Sequence, residues 1–157
     1  MDDLVAIIPF LGRTEDFLAW NGLPEMDWET YQRTHGQVEQ AVYWFHVIAP
    51  EFVESRGMVL RQKQVPIEAS QPSEFSTPTA QTQTEYMLNH LHISDLFFND
   101  PHSAEYDDKV YAYIARVIAD GWRGQLHRLF PEKEFDVGIG EDGGDLAVYA
   151  VTVRDST

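Results

Sequence analysis

Apolar side chains recur along this chain with two periods. From Trp28, the positions Tyr31, His35, Val38, Val42, Phe45 and Ala49 follow at steps of three and four, with Ala41 and Ile48 widening the stripe. This spacing predicts a helix that Pro50 ends, because a residue before proline is pushed out of the α region. A second helix is predicted from Thr82 or Thr84 through Phe97 or Phe98. Met87, Leu91 and Phe98 would lie on one side of it and Tyr86, Ile93 and Phe97 on another, and Asn99-Asp100-Pro101 stops it. A third runs from about Ser103 to Phe130, where Tyr111, Ile114, Ala115, Ile118, Trp122, Leu126 and Leu129 make a wide apolar face. Lys109, Arg116 and Arg123 fall opposite, with His127.

The period of two marks the strands. Met58–Val65 follows a turn at Arg56-Gly57 and is closed by Pro66, which suits a strand at or near a sheet edge. Phe135–Ile139 and Leu146–Val153 read as two more strands, joined by Gly140–Asp145 with the composition of a hairpin turn. The predicted class is α+β: about three helices packed on a small, largely antiparallel sheet of about three strands, with a C-terminal β-hairpin, in a single domain over 1–157. Residues 1–27 read as an arm over the core, with a short helix at Thr14–Trp20. Residues 66–84, with three prolines, read as a long polar loop. The stretch Glu85–Phe98 joins the densest apolar run to two of the six histidines, and the rest of the chain is expected to converge on it.

Composition changes this picture in two ways. No cysteine is present, which excludes disulfides, thiolate metal sites and thiol catalysis. Eleven Lys and Arg stand against 26 Asp and Glu, a net charge of −15. Such a field disfavours nucleic acid and anionic membranes and favours a basic partner. The acidic start and the lack of a long apolar run predict a cytoplasmic protein with no membrane span.

Candidate chemistry is sparse. His90 and His92 would share a face on a strand and could then both bind a metal. On the predicted helix they point about 200° apart, so no metal is expected there. His92 with Asp95, one helical turn on, is the better acid/base pair, but the favoured reading of it is a self-satisfied polar network. Ser94 lacks the surroundings of a nucleophile. Gly138–Gly143 spells G-x-G-x-x-G but leads into a strand, so it is a turn rather than a phosphate cradle. Glu141, Asp142 and Asp145 do not match a calcium loop and read as a solvated acidic turn. No motif calls for a cofactor.

Phe52-Val53-Glu54, Gly57-Met58-Val59-Leu60, Asn89-His90-Leu91-His92 with Asp95-Leu96-Phe97, and Trp122, Leu126 and Phe130-Pro131 before a terminal hairpin resemble a family of small acidic bacterial proteins of unknown function, over roughly residues 40–155. The resemblance implies a bacterial origin and an α+β plan, and it brings no catalytic residue. The function expected from charge and missing chemistry is a non-enzymatic factor that neutralises or regulates a basic protein, for example an immunity protein for a toxin. Asp16, Glu25, Asp27, Asp100, Asp107 and Asp108 are the expected partner-binding acids, and Phe75 an expected anchor. The alternative is a small-ligand binder or enzyme using His90, His92 and Asp95.

Overall fold

The computed structural model describes residues 36–62, 77–101 and 103–154. The expected arm with its short helix, the helical turns from Trp28 to His35, and the residues Asp16, Glu25, Asp27 and Phe75 lie outside them. The class is α+β, with three α-helices and two small antiparallel sheets among the described residues, one ending in the C-terminal hairpin.

Helix α1, Val38–Ile48, makes its last bond from Ala49 N–H to the Phe45 carbonyl and stops at Pro50. Strands β1, Phe52–Ser55, and β2, Met58–Arg61, form a hairpin through Arg56 and Gly57. Both turn residues take positive φ, 54° and 76°, which matches the right-handed twist of the strands. All four residues of β2 are buried.

Helix α2, Pro78–Leu88, begins inside the segment read as a loop. Thr77 caps it, its Oγ1 accepting from Ala80 N–H at 3.2 Å, and Pro78 takes the first turn, where no N–H is needed. The helix ends at Leu88, nine or ten residues earlier than the apolar pattern predicted. Leu91–His92 is instead strand β3, paired with Val148 and Ala147, and a 3₁₀ turn over Ser94–Phe97 follows. The local pattern favours helix, but the open edge of the C-terminal hairpin offers these residues backbone partners.

Helix α3, Asp108–Leu129, starts with Asp107 accepting from Lys109 N–H at 2.8 Å, and a separate 3₁₀ turn at Ser103–Glu105 precedes it. Its expected apolar face is the core. Ala115, Ile118, Trp122 and Leu126 are fully buried, and Tyr111, Ile114 and Leu129 pack around them. Trp122 meets Phe52 edge-on at 5.9 Å and donates Nε1–H to the Val47 carbonyl at 2.8 Å, tying α1 to α3. Strands β4, Phe135–Asp142, and β5, Asp145–Thr152, pair along their whole length, and β5 lies between β3 and β4.

Two sheets that share no backbone ladder are joined by one turn of α2. Asn89 Oδ1 accepts from Arg61 N–H at 2.9 Å, while its Nδ2 donates to the carbonyls of Val59 at 2.8 Å and Ala150 at 3.0 Å. Glu85, fully buried, accepts from Val59 N–H on one side and Thr152 N–H on the other, both at 2.7 Å. Thr152 Oγ1 adds a bond at 2.8 Å, and Arg154 forks onto both carboxylate oxygens at 2.8 Å. Side chains thus meet the free edges of β2 and β5, which would otherwise leave buried amides unpaired. Burial alone would push the Glu85 carboxyl up. The bonds from Arg154, Thr152 and Val59 outweigh it and hold Glu85 below the usual carboxylate range.

Two predictions follow from this packing. Glu85→Gln strands the Arg154 guanidinium and costs about 3–5 kcal/mol at neutral pH, read by urea denaturation. Glu85 binds its proton less tightly folded than unfolded. Its contribution is therefore complete above the unfolded value near 4.5 and is lost as pH falls through the lower folded one, so wild type and variant converge in acid. On α3, a Cβ at Gly121 would run into the carbonyl and Cγ2 of Ile48, whereas one at Gly124 meets nothing within 4 Å. Gly121→Ala should destabilise by about 1–3 kcal/mol. Gly124→Ala should stabilise by up to about 1 kcal/mol, and equal effects at the two sites would refute the close α1–α3 contact.

Candidate functional site

The ladder between β3 and β5 decides where the histidines stand. His90 and His92 are two residues apart on extended chain, so both rings emerge on one side. Their Nε2 atoms are 2.8 Å apart and their ring centroids 4.5 Å. Arg61, buried with its guanidinium 5.0 Å above the Trp122 ring, fixes the approach by donating Nη2–H to the His90 carbonyl at 2.9 Å. Burial lowers its pKa to about 10, which leaves it charged at neutral pH.

The carboxylate beside the pair is Asp142, at the last position of β4, and not Asp95. Asp142 Oδ2 lies 3.5 Å from His90 Nε2 and 3.7 Å from His92 Nε2. Asp95 is exposed on the 3₁₀ turn, so the expected His92–Asp95 pairing gives way to His92–Asp142. The helix that would have put Asp95 one turn from His92 ends at Leu88. His90 Nδ1 faces the Met87 carbonyl at 3.3 Å, and because a carbonyl only accepts, the tautomer that makes this bond has its proton on Nδ1 and a lone pair on Nε2. His92 Nδ1 is buried with no hydrogen-bond partner among the described residues, which leaves Nε2 as the nitrogen His92 presents.

An aromatic wall borders the pair. Tyr86 stacks on His90 with ring centroids 6.2 Å apart and meets Tyr149 at 5.2 Å. Tyr149 lies across Gly138 on the paired strand, where any Cβ would strike its ring, so the glycine is required by the tyrosine. Burial, then the charges of Asp136 and Tyr86 and a hydrogen bond to Asp136, push the Tyr149 phenol up.

A second feature lies on another side of the hairpin tip. A groove of about 720 Å³ runs between the Ser94–Phe97 turn, the start of α3 and the β4–β5 turn. Ile93, Phe97 and Leu146 contribute apolar walls, and Phe98 is 86% exposed at its edge. Asp108, Glu141 and Asp145 stand along it, with Lys109 as the one cation of its lining among the described residues. Burial, followed by the charges of Asp100, Tyr106 and Asp108, pushes the Tyr111 phenol of this groove above its usual range.

The expected partner-binding acids therefore separate. Asp108 lines the groove, Asp107 is engaged as the cap of α3, and Asp100 is half-buried, its carbonyl accepting from Ser103 N–H. Ser94 donates to Asp145 at 3.1 Å rather than meeting His90, so no nucleophile–base pair forms. Gly143 and Gly144, at φ 62° and 92°, make the β4–β5 turn expected from composition. In the cationic stripe of α3, Arg123 pairs with Asp120 and donates to the Val137 carbonyl. Asp142, Glu141 and Asp145 were visible as an acidic turn, but nothing local in the sequence ties Asp142 to histidines 50 residues away.

Set against family models, curated proteins and solved structures, the chain matches none of them. Among the described residues, no helix is long and apolar enough to cross a membrane.

Proposed function

We propose that the protein is a cytoplasmic, non-enzymatic factor that binds a basic polypeptide and occludes it, an immunity protein for a toxin being the concrete form. The groove is the docking surface. The observation that carries this reading is the combination found there among the described residues: apolar walls and an exposed Phe98 beside three carboxylates and one lysine, on a chain of net charge −15. An apolar side chain of the partner would fill the groove while flanking Lys or Arg residues meet Asp108, Glu141 and Asp145. The long-range acidic field would raise the association rate, and the desolvated apolar contact would hold the complex.

The polar clusters give the enzyme alternative less support. Glu85 has both oxygens occupied in a structural network, Ser94 bonds a carboxylate, and His90 and His92 do not line the groove.

The test is native mass spectrometry of the protein isolated from its host at low salt, followed by charge reversal. A one-to-one complex with a polypeptide rich in Lys and Arg is expected, weakening as salt rises from about 0.05 to 0.5 M. The triple variant D108K/E141K/D145K should bind that polypeptide at least tenfold more weakly. E39K/E132K/E134K, with equal charge change outside the groove, should retain it within about threefold. A bare chain, a partner without basic character, or equal losses in the two variants would each sink this reading.

A further inference from the structure

We propose that His90, His92 and Asp142 form a binding site for a divalent transition-metal ion of the Zn²⁺ type. The site goes beyond the polypeptide-binding reading and does not depend on it, since none of its three residues lines the groove.

Three observations point to a metal rather than to a hydrogen-bonded cluster alone. The first is distance. Each residue offers one ligand atom, and the three atoms lie within 4.8 Å of one another. A triangle with sides of 2.8, 3.5 and 3.7 Å is acute, and its circumradius is about 2.0 Å. A single ion can therefore sit inside it at about 2.0–2.1 Å from all three atoms, the range Zn²⁺ takes with imidazole nitrogen and carboxylate oxygen. In an ideal tetrahedron of that size the ligand atoms are about 3.3 Å apart, so shifts of about half an ångström complete the fit.

The second is the state of the imidazoles. A metal ligand must present a lone pair, and metal-bound histidine commonly gives its other N–H to a carbonyl or carboxylate. His90 has this arrangement already, with Nδ1 turned to the Met87 carbonyl and Nε2 turned into the triangle. His92 has its Nδ1 sealed in the protein, so Nε2 is the atom it presents toward the same point. The two rings meet nitrogen to nitrogen, where two neutral imidazoles can share only one proton and an ion would satisfy both lone pairs.

The third is rigidity. His92 is held in β3, His90 has its carbonyl clamped by Arg61 and its ring stacked on Tyr86, and Asp142 ends a strand paired to its last residue. Ligands already fixed lose little freedom on binding. The histidines are about a fifth to a quarter exposed and Asp142 is half exposed, so water can reach the ion and fill its remaining positions. Two nitrogen donors select Zn²⁺, Co²⁺ or Ni²⁺ over Mg²⁺ and Ca²⁺, which prefer oxygen.

The experiment is calorimetric titration of the full chain with Zn²⁺, together with NMR of its histidine ring signals. One ion per chain is expected, with micromolar or tighter affinity unaffected by a hundredfold excess of Mg²⁺. His90→Ala and His92→Ala should each weaken binding by at least about tenfold. Asp142→Asn, at the exposed end of β4 and away from the core, should weaken it about tenfold and guards against loss of fold in the histidine variants. On the wild-type chain, Zn²⁺ should move the ring signals of His90 and His92 and leave those of His46 and His127 in place. Affinity weaker than millimolar, unchanged affinity in the three variants, or equal shifts at all four histidines would each overturn the proposal.

Discussion

The edges of β2 and β5 face each other without pairing, and two side chains from one turn of α2 take the place of the missing ladder. Each buried backbone amide must find a partner, and here the partners are a carboxylate and a carboxamide set one helical turn apart. Asn89 supplies an acceptor and two donors, which suits a site with one N–H and two carbonyls to satisfy. Glu85 supplies acceptors only, and every contact it makes is with a donor, including the two-pronged Arg154. Exchanging the two residues would leave both edges mismatched.

That staple also sets where the histidines are placed. The helix ends at Leu88 with Asn89 as its C-cap, and the chain then runs along β5, Leu91 and His92 pairing with Val148 and Ala147. His90 and His92 therefore share a face, and the end of β4, held through β5, brings Asp142 across to them. The positioning is indirect but stiff. Each link is a backbone ladder, a buried hydrogen bond or a fully packed side chain.

The β4–β5 hairpin tip presents its acids to two neighbourhoods. Asp142 turns to the imidazoles, while Glu141 and Asp145 stand along the groove with Asp108. Elsewhere among the described residues, four positive charges are engaged. Arg61 and Arg154 are spent inside the fold, Arg123 is bonded to Asp120 and to β4, and Lys133 pairs with Glu54.

Periodicity alone was enough for α3, whose seven apolar positions form or border the core, for the stop at Pro50, and for the C-terminal hairpin with its glycine turn. These depend on local rules: a 3.6-residue stripe, a ring that blocks the α region, a turn that needs positive φ. The start of α2 was also written locally, in Thr77-Pro78, although the polar composition around it masked the signal. What lay beyond the sequence was the fate of residues 89–98. Their apolar spacing suits a helix, and only the open edge of β5, more than fifty residues later, turns Leu91 and His92 into a strand. With that change two histidines moved from opposite sides to one, and Asp142 replaced Asp95 as their carboxylate. Local spacing determined the elements; long-range backbone pairing decided which polar side chains meet, because a hydrogen-bonding edge acts on whatever segment the fold brings to it.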